Sequence, residues 1–320
     1  MLFDKIESAY KNNVYRRADA DGSIFYFSCG DFEGLQQKAY PFKSSDGHSL
    51  SGYFYYYDGF KADRIVIFEH GMGSGHRGYM KEIEMLARHG YLVFAYDHTG
   101  CMESGGTTTG GFPQSLKDLN DAITTLKADP RFAGCTYSVV GHSWGAFSTL
   151  NICALHPDIT HICAMSGFIS VEAVLKQFFG GIMWIFGKRI YAAVKAENPD
   201  FAGYNAVETL KNAGCKALII HSDDDPTVSC AKHFDVMRKA LAGKANIKFH
   251  KVTGKAHNPN YTEAAVRYKD EFFADFKQAL SDGSLVFDED KKKFKASYDW
   301  NRMTMQDDKI WKMIFEHLES

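Results

Sequence analysis

From Leu50 onward, apolar and polar positions alternate in blocks that predict strands and helices in turn. Short strand-like segments are predicted at 64–69, 91–96, 136–140, 161–165, 216–221 and 247–252. Between them, apolar residues recur with helical spacing at 79–89, 116–128, 144–155, 228–241 and 261–280, as in Met80, Ile83, Leu86 and Ala87. That beat predicts an α/β fold with a mostly parallel central sheet and helices on both faces. Upstream, 24–28, 37–43 and 50–57 read as extended, with Ser45-Asp46-Gly47 as a turn, which suits antiparallel strands ahead of the parallel series.

Two regions break the beat. The stretch 169–214 sits between two predicted strands and exceeds an ordinary crossover, so it reads as a helical cap insertion. Phe178, Phe179, Ile182, Met183, Trp184, Ile185 and Phe186 crowd it too densely for one helical face. Part of that cluster is expected to line a substrate pocket or touch a partner, with Phe178, Phe179 and Trp184 as the substrate-binding candidates. After Gly283 a tail carries Ile310, Trp311, Ile314, Phe315 and Leu318 at helical spacing over 307–318, predicting a helix that docks on the domain. The chain thus divides into a core at 1–168, a cap at 169–214, the rest of the core at 215–282 and a helical extension at 283–320. Self-association through the cap or the last helix is the partner these apolar faces allow.

Composition narrows the classes. Of 320 residues, 45% are hydrophobic and 24% charged, with a net charge of -2, so a large core is feasible and no nucleic acid or anionic surface is called for. The basic run Lys291-Lys292-Lys293 follows Asp288-Glu289-Asp290 and reads as a solvated segment. Met1 to Glu7 lack the basic and apolar regions of a secretory signal, and no apolar run is long enough to span a membrane, which makes the cytoplasm the expected location. The seven cysteines have neither C-x-x-C pairing nor metal-ligand spacing, and they read as reduced, mostly buried thiols. No metal or organic cofactor is expected.

The chemistry centres on Gly141-His142-Ser143-Trp144-Gly145, a G-x-S-x-G with a predicted strand before it and a helix after it. Such a turn exposes a serine hydroxyl, which becomes nucleophilic once a histidine takes its proton and a carboxylate holds that histidine in the right tautomer. Partners are expected in loops at the carboxyl ends of parallel strands. His221-Ser222-Asp223-Asp224-Asp225 follows one strand, and Gly254-Lys255-Ala256-His257-Asn258 follows the next. His257 is the candidate base, while Asp223, Asp224 and Asp225 all offer a carboxylate. His161, His233 and His250 fall inside predicted elements, and His142, neighbouring the serine on a tight turn, should point elsewhere.

These segments, with His70-Gly71-Met72-Gly73-Ser74-Gly75 and Asp97-His98-Thr99-Gly100 followed by Ser104-Gly105, resemble the α/β-hydrolase family. The likeness is to its monoglyceride-lipase-like and serine-aminopeptidase-like branch, over roughly 50–280. The resemblance implies Asp225 as the triad acid and the backbone N–H groups of Met72 and Trp144 as the oxyanion hole. It also departs from the family pattern: Ser222 stands where a glycine is usual, and Thr99 and Met102 replace a common Arg and Gly. The implied activity is cleavage of a small-molecule carboxylic ester through an acyl-serine, as in a carboxylesterase or monoacylglycerol lipase. Alternatives are an aminopeptidase or amidase on the same triad, with Glu172 or Glu197 holding a substrate amine, and a non-catalytic ligand-binding protein.

Overall fold

Each of the six strand-like segments at 64–69, 91–96, 136–140, 161–165, 216–221 and 247–252 lies on a strand of the computed structural model, which describes residues 2–20 and 24–320. The strands are β1 (Gln36–Ala39), β2 (Phe42–Lys43), β3 (Ser49–Leu50), β4 (Gly52–Tyr56), β5 (Lys61–Glu69), β6 (Tyr91–Tyr96), β7 (Thr136–His142), β8 (His161–Met165), β9 (Lys216–Ser222) and β10 (Ile247–Val252). Eight of them form one sheet in the order β1-β4-β6-β5-β7-β8-β9-β10, while β2 and β3 pair apart from it. β1 and β4 run antiparallel at one edge, and the neighbours from β6 to β10 are all parallel.

The helices are α1 (Leu2–Val14), α2 (Met80–Arg88), α3 (Gln114–Ala128), α4 (Trp144–Asn151), α5 (Val171–Phe178), α6 (Trp184–Glu197), α7 (Ala206–Asn212), α8 (Phe234–Ala240), α9 (Glu263–Ser281), α10 (Asp288–Ala296), α11 (Trp300–Met303) and α12 (Asp308–Leu318). Because successive strand residues point to opposite faces, the continuous apolar run of β5 feeds two cores. Ile65 and Ile67 join Leu116 and Ile123 of α3 and Phe147 and Leu150 of α4. Val66 and Phe68 join Ile83 and Leu86 of α2, Phe272 of α9, and Trp311 and Ile314 of α12. Full burial of side chains of this size stabilises the fold by about 1.5–3 kcal/mol each. Parallel strands carry their loops to one end, so the segments after β5, β7, β9 and β10 converge there.

Three differences from the sequence pattern have local causes. Residues 24–28 join no strand ladder; Phe25 stacks on Trp300 at 6.1 Å and Phe27 meets Phe25 edge-on at 4.9 Å, so aromatic packing holds them instead. The helix expected over 228–241 is shorter, Phe234–Ala240, because the Asp225 carboxylate accepts the amides of Thr227 and Val228 and holds a turn ahead of it. The sequence pattern had assigned no helix to the N-terminus, yet α1 forms there and lies on α6. Phe3 meets Phe186 at 4.8 Å, and Lys11 and Tyr15 both hold Glu197.

Between β8 and β9 the chain forms α5, α6 and α7. Helix α7 packs with α4 through buried Ala206 and Leu210, whereas the turn from α5 to α6 carries exposed Phe178, Ile182, Met183 and Ile185. In the C-terminal segment Ile310, Trp311, Ile314 and Leu318 are buried against the sheet, so the apolar face of α12 is spent internally. Among the described residues, no helix is long and apolar enough to cross a membrane.

Candidate active site

The strand-turn-helix around Ser143 follows from its glycines. A Cβ on Gly141 would collide with Thr149 Oγ1 and the Gly145 carbonyl, and one on Gly145 would collide with the Glu69 carbonyl. Only hydrogen at these two positions lets α4 leave β7 so abruptly. Ser143 takes the strain, with φ 57° and ψ -115°, and its N–H donates to the Met165 carbonyl at 2.8 Å. A non-glycine residue in this region costs on the order of 1–3 kcal/mol and persists because the surroundings fix it.

Ser143, His257 and Asp225 come together from three strand ends. Ser143 Oγ lies 2.8 Å from His257 Nε2, and His257 Nδ1 lies 2.8 and 3.0 Å from the two Asp225 oxygens. A carboxylate only accepts, so Nδ1 carries the proton and Nε2 is left to accept from the serine hydroxyl. Burial works to raise the Asp225 carboxyl. It is outweighed by hydrogen bonds from His221, His257 and the Val228 amide, which hold it well below the usual carboxylate range. Asp223 and Asp224 turn elsewhere. Asp223 accepts from Thr253 Oγ1 at 2.8 Å, while Asp224 is held by Ser222 Oγ and the Ala256 amide.

The loop after β5 lies against Ser143. A Cβ on Gly71 would collide with Tyr79 Oη and stand 3.3 Å from Ser143 Cβ. The His98 amide donates to His70 Nε2 at 3.0 Å, so His70 Nδ1–H donates to the Gly71 carbonyl at 2.7 Å. Burial, then repulsion from His98, lowers His70 to about 3 and keeps it neutral in that role. With the Gly71 carbonyl turned to His70, the trans peptide directs the Met72 N–H to the opposite side. The Trp144 N–H opens a helix, where amides have no intrahelical acceptor. Asp97 braces the far end of the loop by accepting from the His76 backbone and Nδ1, each at 2.8 Å.

Several residues with no assigned role in the sequence pattern complete the surroundings. His142 is buried between Tyr79 Oη, 2.8 Å from Nδ1, and the His257 carbonyl, 2.6 Å from Nε2. The carbonyl can only accept, so His142 Nε2–H donates to it and Tyr79 donates to Nδ1. Burial and the adjacent His257 lower His142 to about 3, which makes it a neutral brace for the His257 backbone. His221 Nε2 stands 3.2 Å from Asp225. His142 lay inside the motif and His221 beside the acid, but nothing in the spacing marked Tyr79 as the link. A cavity of about 110 Å³ beside this link is lined by Ser74, Tyr79, Asn258 and Tyr261 but not by Ser143.

Of the cap candidates, Phe178 is exposed, whereas Phe179 and Trp184 are partly buried and pack against the main core, with Lys176 over the Trp184 ring at 5.7 Å. Glu197 is engaged by Lys11 and Tyr15, and Glu172 is exposed in the first turn of α5. Among the described residues, no group of three or more His, Cys, Asp or Glu side chains is arranged to hold a metal.

The family model for serine aminopeptidases of the S33 type matches residues 61–202. The Pyrococcus furiosus esterase Pf2001 superposes with a TM-score of 0.59 at 19% identity, covering 84% of this chain and 97% of that one. The chain has the α/β-hydrolase fold. Its sequence is also 24% identical over 230 residues to the lysophosphatidylserine lipase ABHD12 of Xenopus tropicalis, covering 63% of this chain and 55% of that protein. It is 28% identical over 151 residues to the uncharacterized protein YqkD of Bacillus subtilis, covering 47% of this chain and 48% of that protein. These matches support the monoglyceride-lipase-like branch to which the motifs pointed, although the chain spans only about half the length of the curated relatives it matches.

Proposed function

We propose that this α/β-hydrolase cleaves carboxylic esters through an acyl-Ser143 intermediate. The observation that carries the reading is the line from Ser143 Oγ to His257 Nε2 at 2.8 Å and from His257 Nδ1 to Asp225 at 2.8 Å. In this mechanism His257 takes the hydroxyl proton as Ser143 attacks the ester carbonyl, and Asp225 stabilises the imidazolium that forms. The Met72 and Trp144 amides receive the negative charge on the carbonyl oxygen, each such donor contributing about 2.7–4 kcal/mol to lowering the barrier. His257 then protonates the leaving alkoxide, and a water activated by the same imidazole releases the acid.

The segment 169–214 serves as a cap over this site, and its exposed Phe178, Ile182, Met183 and Ile185 favour a substrate with an apolar acyl chain. The lipase named among the relatives is consistent with that class. The matched aminopeptidase model favours amide cleavage as a second reading. That reading needs a carboxylate for the substrate amine; Glu197 already binds Lys11 at 2.6 Å, which leaves exposed Glu172 for that role. The test is a panel of p-nitrophenyl esters of increasing chain length beside aminoacyl p-nitroanilides. Ester turnover that rises from acetate to a medium chain and vanishes in Ser143→Ala supports the proposal, and nitroanilide turnover exceeding it overturns the ranking.

A further inference from the structure

Cys153 and Cys215 are 62 positions apart in sequence, yet their sulfurs lie 2.9 Å from each other. Both are buried free thiols. Cys153 sits in the short 3-10 turn that continues α4 at 152–154, and Cys215 immediately precedes β9. They meet at the end of the sheet away from the candidate site, since α4 runs about 15 Å from Ser143 before reaching Cys153 at ~1.5 Å per residue. A surface cavity of about 510 Å³ is lined by Cys153 with Tyr204, Glu208, Thr209 and Asn212.

We propose that Cys153 and Cys215 form a reversible oxidative modification site, closing to a disulfide when a peroxide enters the cavity at Cys153. In the first step the Cys153 sulfur bonds to one peroxide oxygen, the O–O bond breaks and one water leaves, with the thiol proton passing to the departing oxygen. Cys153 is then a sulfenic acid. In the second step the Cys215 sulfur attacks the Cys153 sulfur, the S–O bond breaks and a second water leaves with the Cys215 proton. The two thiols lose two electrons and two protons, and one peroxide becomes two waters. Sulfur–sulfur hydrogen bonding lowers the Cys215 thiol and, together with burial, raises that of Cys153. The first step is therefore the slow one, and contact between the sulfurs makes the second fast.

The crosslink encloses β8, α5, α6 and α7 in one covalent loop, tying the end of the Ser143 helix to the foot of the strand that leads to Asp225. Neither cysteine touches Ser143, His257 or Asp225, so the main effect is on stability rather than turnover. Loop closure of this length predicts a Tm rise of about 6 °C for a chain of this size.

The test oxidises wild-type protein with hydrogen peroxide, alkylates it under denaturing conditions and maps the peptides by mass spectrometry. The expected result is two fewer alkylated thiols than the seven in the chain, a peptide joining Cys153 to Cys215, and a Tm gain reversed by dithiothreitol. Cys153→Ala and Cys215→Ala should each abolish that peptide, while Cys163→Ala, which alters a buried thiol on the other face of the sheet, should leave it in place. Alkylation of all seven thiols, or a disulfide joining any other pair, overturns the proposal. Because mapping is done on wild type and does not read activity, its outcome is independent of whether the triad is catalytic.

Discussion

Replacing Asp225 by Asn removes the charge behind His257 with little change in shape. One Asp225 oxygen accepts the amides of Thr227 at 2.8 Å and Val228 at 3.0 Å, and an asparagine oxygen can keep both bonds. The new NH2 then stands where the other oxygen was, 2.8 Å from His257 Nδ1 and 3.2 Å from His221 Nε2. Two donors cannot share that space, so His257 changes tautomer, places its proton on Nε2 and no longer accepts from Ser143. A triad in the wrong tautomer loses about 10⁴ in kcat, or about 5.4 kcal/mol at 1.36 kcal/mol per tenfold. The assay is kcat on a p-nitrophenyl ester, with thermal melting to verify folding. Asp223→Asn and Asp224→Asn should each stay within about tenfold, since each loses at most one neutral-donor contact of about 1.4 kcal/mol. An Asp225→Asn variant that keeps more than a tenth of wild-type kcat, or an Asp224→Asn variant that loses more than Asp225→Asn, would refute the assignment.

Other consequences can be checked separately. Gly71→Ala drives a methyl into Tyr79 Oη and toward Ser143, so kcat should fall about 10²–10³-fold as the Met72 amide is displaced, while KM changes little. Trp311→Ala empties a buried site on α12 and should lower unfolding free energy by about 3–5 kcal/mol in urea titration, with activity per folded molecule unchanged. Buried His70 and His142, lowered to about 3, and His233 and His317, lowered to about 4, stay neutral in the fold where an unfolded histidine would take a proton. Their contribution is complete above the unfolded value of about 6.5 and is lost as pH falls toward 3–4, so Tm should drop across that window. Glu69, raised to about 7 by burial, acts with the opposite sign above about pH 4.5, and a flat Tm profile would contradict the dominance of the histidines.

What the sequence displayed, and what it hid, follows from the range of the forces involved. Strand runs such as 64–69 and 161–165 were legible because both faces are buried and the stretches 65–68 and 162–165 within them are wholly apolar. The G-x-S-x-G turn was legible because a strained serine between two close backbones demands glycine on either side. Three adjacent aspartates could not be separated by spacing, since the choice depends on which one a loop 32 residues away approaches: Asp225 meets His257. Helix α1 was missed because its reason to form lies on α6, in Phe186, Arg189 and Glu197, far along the chain. The Cys153 and Cys215 contact was hidden in the same way. The link from Tyr79 through His142 to the His257 carbonyl uses an unremarkable tyrosine, and only the fold brings it to the elbow.

The central claim is that Ser143 is a nucleophile activated by His257. Its most direct test is active-site labelling with a fluorophosphonate followed by peptide mapping. The account predicts one covalent adduct, on Ser143 in the wild type, absent from Ser143→Ala and strongly slowed in His257→Ala. An unlabelled wild type, or equal labelling of Ser143→Ala, would contradict it.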